Sequence, residues 1–228
     1  MSRSRLNSWV RGSEIELDIS LEDWPKFIYT DGTGYRRQDS TQGEVWLVLV
    51  KSFSGKVDVV KVYVDRSRGV GREIKSRIGE ERLRGCVLLS GGEPEIEDNL
   101  LVEGMEHQRC QWHSWKDLGC MLWAEEMSKG EKGVITQELN KLTIALPFEE
   151  KAADERDKDG IKKRLREVKA FLEEMVAFLK SKGYLKASGY LERAGKKLFT
   201  YVELWLEKSI QVGKATSIMR RTMREIAR

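Results

Sequence analysis

The sequence predicts a mixed α/β fold: a sheet with helices on its faces, and a helical insertion ahead of the last helix. Three observations predict it. A valine-rich hairpin stands early in the chain, short apolar runs then alternate with helix signals, and long amphipathic stripes fill the second half. The 228 residues suffice for one large domain or two small ones, and the 40% apolar content supplies a packed core.

Residues 26–29 form a short apolar run that stops at Asp31-Gly32, a strand followed by a turn. Residues 45–53 are apolar and rich in valine. Ser54-Gly55 follows, and then residues 56–64, where valines alternate with polar side chains. Strand, tight turn and strand make a hairpin. Val70, Ile74 and Ile78 are spaced four apart, as on one face of a helix. Residues 87–89 read as a short strand closed by Ser90-Gly91-Gly92, and Pro94 fits the first turn of a helix. Residues 105–110 read as a last short strand. Trp112, Trp115, Leu118, Leu122 and Trp123 then recur at helical spacing. A two-strand meander followed by alternating strands and helices is the element order of RNase H-like folds, whereas flavodoxin-like folds do not begin with a meander.

The second half has a different period. Ile161, Leu165, Val168, Leu172, Met175, Val176 and Leu179 form a stripe over residues 161–180, with Asp159 or Gly160 as its cap. Gly183 ends it. A second helix is expected over residues 184–210 through Leu191, Leu198, Val202 and Trp205, giving a helical hairpin. A basic helix over 217–228 follows Gly213. The expected division is a short segment 1–25, a core 26–130, a helical insertion 131–212 and a closing helix 213–228.

Charge is unevenly placed. Residues 1–150 carry 21 Lys and Arg against 26 Asp and Glu, a net of −5; residues 151–228 carry 20 against 11, a net of +9. The basic half is the one suited to an acidic polymer, although solvated helix faces account for the charge equally well. Three cysteines without a framework spacing suit a reducing compartment. The longest apolar run, Val45 to Val50, is too short to span a bilayer, and no secretory signal opens the chain. A cytoplasmic protein with no membrane association is expected.

Asp31 is the first candidate for chemistry, since it closes a strand and is followed by Gly-Thr-Gly; a turn aspartate is the commoner role for such a residue. Cys110 and His113 are three apart, which is half of a zinc site, but the only other histidine is His107 and no second half exists.

Taken in order, Asp31-Gly-Thr-Gly34, the valine hairpin, Leu88-Leu-Ser-Gly-Gly-Glu-Pro94, Arg109-Cys-Gln-Trp-His113 and Ala215-Thr-Ser-Ile-Met-Arg-Arg-Thr-Met-Arg-Glu-Ile226 resemble the Mutator-like transposases of prokaryotes. The resemblance runs from about Asp31 to Arg228. It implies an RNase H-like catalytic domain with a helical insertion before its last acid, and cleavage and strand transfer of DNA by two magnesium or manganese ions held by three acids. Asp31 is then the remaining metal-binding acid, Gly91 stands at the position of the second acid, and Arg220 at that of the third. Cys110 and His113 are the motif beside that site. A glycine offers no ligand, and an arginine sets a fixed cation where a metal would bind. Glu93 and Glu225 are not expected to substitute, and a site assembled from Asp31, Glu93 and Asp98 is the reading on which cutting survives. The expected partner is DNA, held through Lys162, Lys163, Arg164, Arg166, Lys196, Lys197, Arg220, Arg221 and Arg224; the sequence leaves open whether the chain forms a homo-oligomer. A DNA-binding protein derived from a transposase, without catalysis, is the alternative.

Overall fold

A computed structural model of the chain describes residues 27–36, 42–51, 57–64, 69–146 and 155–217. It divides into two compact units. One holds the described residues up to Cys110 together with those from Ala215 onward; the other is Gln111–Lys214. The second unit begins at Gln111 and not at residue 131, because the helix after the last strand packs with the helical half.

The first unit is a mixed sheet with helices. Strands β1 (Phe27–Arg36), β2 (Gln42–Lys51) and β3 (Val57–Val64) are followed by helices α1 (Val70–Ile78) and α2 (Glu80–Leu83). Then come β4 (Val87–Ser90), α3 (Pro94–Leu100) and β5 (Glu106–Arg109). The sheet order is β3-β2-β1-β4-β5. β2 pairs antiparallel with β1 and β3, while β4 runs parallel to β1 and β5. The expected hairpin is present; its turn at Ser54-Gly55 lies outside the described residues. β1 does not stop at Asp31-Gly32 as expected. It continues to Arg36 because β2 supplies a partner for every residue through Arg36↔Gln42.

Strand alternation sends Ile28, Val48, Val50 and Leu88 to one face. There they meet Val70, Ile74 and Ile78 of α1, Leu83 of α2, and Ile96 and Leu100 of α3, all buried. Burying each such side chain contributes about 1.5–3 kcal/mol, so this face holds the unit together. Pro94 opens α3 as expected.

The second unit is helical: α4 (Gln111–Ala124), α5 (Lys129–Asn140), α6 (Glu155–Ser181), α7 (Leu185–Gly195) and α8 (Thr200–Lys208). α5 was not expected, although Ser128 and Glu131 spell its capping box: the Ser128 hydroxyl accepts from the Glu131 amide at 3.3 Å and donates to its carboxylate at 2.6 Å. α6 starts at Glu155, ahead of the expected cap at Asp159 or Gly160. Its buried stripe is Leu165, Val168, Leu172 and Leu179. Gly183, at φ +85, ends the turn to α7 as expected.

Two expectations fail in this unit. Residues 184–210 are two helices, not one, because residues 198–202 are all buried. A straight helix cannot turn five consecutive side chains inward, so the chain breaks after Gly195 and restarts at Thr200. In α4 only Trp115, Leu118 and Leu122 of the expected stripe are buried; Trp112 is 45% and Trp123 72% exposed. Each follows a buried residue directly, at Gln111 and Leu122, and one residue turns a helix face by about 100°.

Helix termini are tied within the unit. The Glu125 carboxylate accepts from the amides of Lys186 and Ala187 at 2.8 and 2.9 Å, an anion at the start of α7. The Tyr201 hydroxyl donates to the Ile144 carbonyl at 2.8 Å and accepts from its amide at 3.1 Å. No helix among the described residues is long and apolar enough to cross a membrane.

Candidate functional site

The parallel ladder sets the site. Its last paired rows are Thr30↔Ser90 and Ser90↔Arg109, so Asp31, Gly91 and Cys110 are the next residues on three adjacent parallel strands. The Cys110 amide donates to the Ser90 carbonyl at 2.8 Å. Three residues far apart in sequence therefore meet at the carboxyl edge of one sheet, with Gly91 in the middle.

Asp31 and Cys110 are both buried, and Thr216 joins them. Its hydroxyl donates to Asp31 Oδ2 at 2.6 Å, and its amide donates to Cys110 Sγ at 3.4 Å. The short bond to a carboxylate is charge-assisted; the sulfur is a weak acceptor. Thr216 directly precedes the helical residue Ser217, so this contact ties the last of the described residues to the sheet edge.

The place of a side chain on residue 91 is not empty. A Cβ built on Gly91 would lie 2.5 Å from Glu93 Oε1 and 3.2 Å from its Cδ. Glu93, two residues further on and not expected to substitute for the second acid, folds its carboxylate back into that place. Asp98 is exposed on α3 and does not join Asp31 or Glu93.

The other face of the same strand ends carries a second polar group that sequence reasoning missed. Ser90 Oγ lies 2.9 Å from His107 Nε2 and donates to Glu97 Oε1 at 3.3 Å. That carboxylate oxygen is 3.4 Å from His107 Nε2 and 3.8 Å from Arg109 Nη1. Arg109 Nη2 donates to the Gly92 carbonyl at 3.3 Å. Gly92 is required here: its φ is +106, and a Cβ would fall 2.0 Å from the Arg109 guanidinium. The signal was readable in part, since Ser90 and Arg109 share a register row and His107 lies two residues before Arg109.

His113 lies in α4, half-buried, with Trp112 edge-on to its ring at 4.6 Å and Lys116 over that indole at 5.4 Å. Cys110 closes the first unit and His113 belongs to the second. Of the expected basic residues, Lys162, Lys163, Arg164 and Arg166 are exposed on α6, Lys196 is exposed and Lys197 half-buried after α7. Lys162 meets Asp159 at 3.5 Å and Arg164 meets Glu167 at 3.4 Å. Arg220, Arg221 and Arg224 lie outside the described residues.

Magnesium or manganese in pairs demands several carboxylates facing one point. Among the described residues, no three His, Cys, Asp or Glu side chains are placed to hold a metal ion. Asp31 Oδ2 is already engaged by the Thr216 hydroxyl. The donor set does not fit a two-metal centre. No protein-family model and no curated protein matches the sequence.

Proposed function

We propose that the chain is a transposase-type, RNase H-like core that acts on DNA and has lost strand cleavage. One observation carries the reading: Asp31 and Gly91 follow the last paired row of adjacent parallel strands, in a sheet of order β3-β2-β1-β4-β5 with β2 antiparallel. In such a sheet these two strand ends are where an RNase H-like site holds its first two acids. Asp31 keeps its carboxylate, and residue 91 has none. With Arg220 at the third position, two acids have become a neutral and a cationic residue. The local charge rises by three units relative to an intact triad, which strongly disfavours two divalent cations.

The alternative, a DNA-binding protein derived from a transposase, is favoured by the exposed Lys163 and Arg166 on α6. Phosphate contacts by distributed cations give affinity that falls steeply with salt and do not depend on metal. The test of both is DNA affinity measured against salt, for the parent and for Lys163→Glu with Arg166→Glu. The expected result is a negative log–log slope whose magnitude falls by about one to two in the variant. A slope that the substitutions leave unchanged would contradict the assignment. Gly91→Asp together with Arg220→Glu is expected to restore manganese binding by calorimetry, with the Glu93 carboxylate displaced; neither change alone restores cutting.

A further inference from the structure

The second unit carries an apolar trough that plays no part in the reading above. It lies between α5 and α6 and has a volume of about 410 Å³. Val134 and Ile135 of α5 and Phe171, Met175 and Phe178 of α6 form its floor. Val134 is 60% and Phe178 46% exposed, so large apolar side chains stand in water on one continuous surface. The lining positions recur three and four apart on both helices. The trough is therefore bounded by one face of each helix; along the α6 side it runs from Phe171 to Lys182, which follows the last residue of the helix, about 16 Å at helical rise.

Two helices side by side leave a groove that the apolar stripe of a third helix fills. The rim decides its charge. Glu131 and Glu138 stand two turns apart on the α5 wall and Glu174 stands on the α6 wall, against Lys182 alone, a net of −2. Lys182 is held over the Phe178 ring at 5.8 Å, at the end of the α6 wall. Glu131 has Ser128 as a partner and Glu138 has Lys141, so Glu174 bears most on the charge of an incoming segment.

We propose that this trough binds a basic amphipathic helix of a partner protein: about three turns, apolar residues at the i, i+4, i+7 spacing, and Arg or Lys on both flanks.

The test is fluorescence anisotropy of the full chain with two labelled peptides. One has a leucine stripe flanked by arginines; its twin has glutamate in place of each arginine. The arginine peptide is expected to bind at least about tenfold more tightly than its twin, as complementary rims discriminate against like charge. Val134→Glu is expected to abolish that binding, and Glu174→Lys to weaken it while strengthening the twin. Both positions are exposed, and circular dichroism checks that the helices are retained. Equal affinity of the two peptides, no binding of either, or binding indifferent to Val134→Glu would overturn the proposal. A concentration-dependent dimer in sedimentation, dissolved by Val134→Glu, would assign the trough to a second copy of the chain and overturn it as well.

Discussion

At the end of the parallel ladder one hydroxyl holds a buried carboxylate: Asp31 and Thr216 are 185 residues apart in sequence and 2.6 Å apart in space. A hydrogen bond to a charged group contributes about 1.5–3 kcal/mol. Thr216→Val is therefore expected to cost about 2 kcal/mol in denaturant titration, and Asp31→Asn a similar amount. In the double variant the two losses should not add, because they remove the same bond; full additivity would mean that the contact carries no stability. The neighbouring Thr30 hydroxyl is buried without a hydrogen-bond partner among the described residues. Thr30→Val keeps the shape and removes that group, so the midpoint should rise, by about 1 kcal/mol of stability. A loss of stability would show that the hydroxyl is satisfied. Asp31 and Gly91 were legible in the sequence because each closes a short apolar run that reads as a strand, whereas Cys110 follows the polar residues Glu106–Arg109 and was legible through its spacing to His113. Thr216 was legible only as part of a motif, since its contact depends on chain closure over most of the molecule. The approach of Glu93 to the place of a residue-91 side chain was not legible, because residue spacing along the chain does not show a side chain folding back on its own loop.

At the scale of elements, hydrophobic period decides where helices and strands form. The hairpin, α1, β4 and α3 follow their apolar spacing, while the break after Gly195 does not, because it is set by the burial of Leu198 and Phe199. Leu172 lies on the buried stripe of α6, where a Cβ on Gly195 of α7 would approach it to 3.8 Å. The turn between α6 and α7 closes locally, with the Tyr184 amide donating to the Leu179 carbonyl at 2.9 Å around Gly183. Leu172→Asp sets an unpaired charge in this contact and is expected to unfold the unit, read as a loss of helical circular dichroism. A variant that melts like the parent would mean that the stripe is not a core. In β1, burial pushes the Tyr29 phenol up to about 12 from 10.0. The unfolded chain loses this proton near pH 10 and the folded chain keeps it to about 12. Stability is thus unaffected below about pH 10 and falls as pH rises from there through 12, by about 2–3 kcal/mol. Burial raises Tyr201 in the same direction. Denaturant midpoints across this range should slope less in Tyr29→Phe; an unchanged slope would place the titration elsewhere.

For the molecule as a whole, charge and topology point the same way. The basic excess falls in residues 151–228, while the strand ends that carry Asp31 and Gly91 lie in the acidic part of the chain. On the proposed function, binding and cutting would rest on different residues, so loss of cutting would leave binding in place. The most direct measurement is manganese-dependent nicking of supercoiled DNA by the unaltered chain, alongside a binding titration on the same DNA. The expected result is salt-sensitive binding and no nicking above the background of an Asp31→Ala control. Robust nicking that Asp31→Ala abolishes would contradict it, because other acids, Glu93 first among them, would then complete a working metal site.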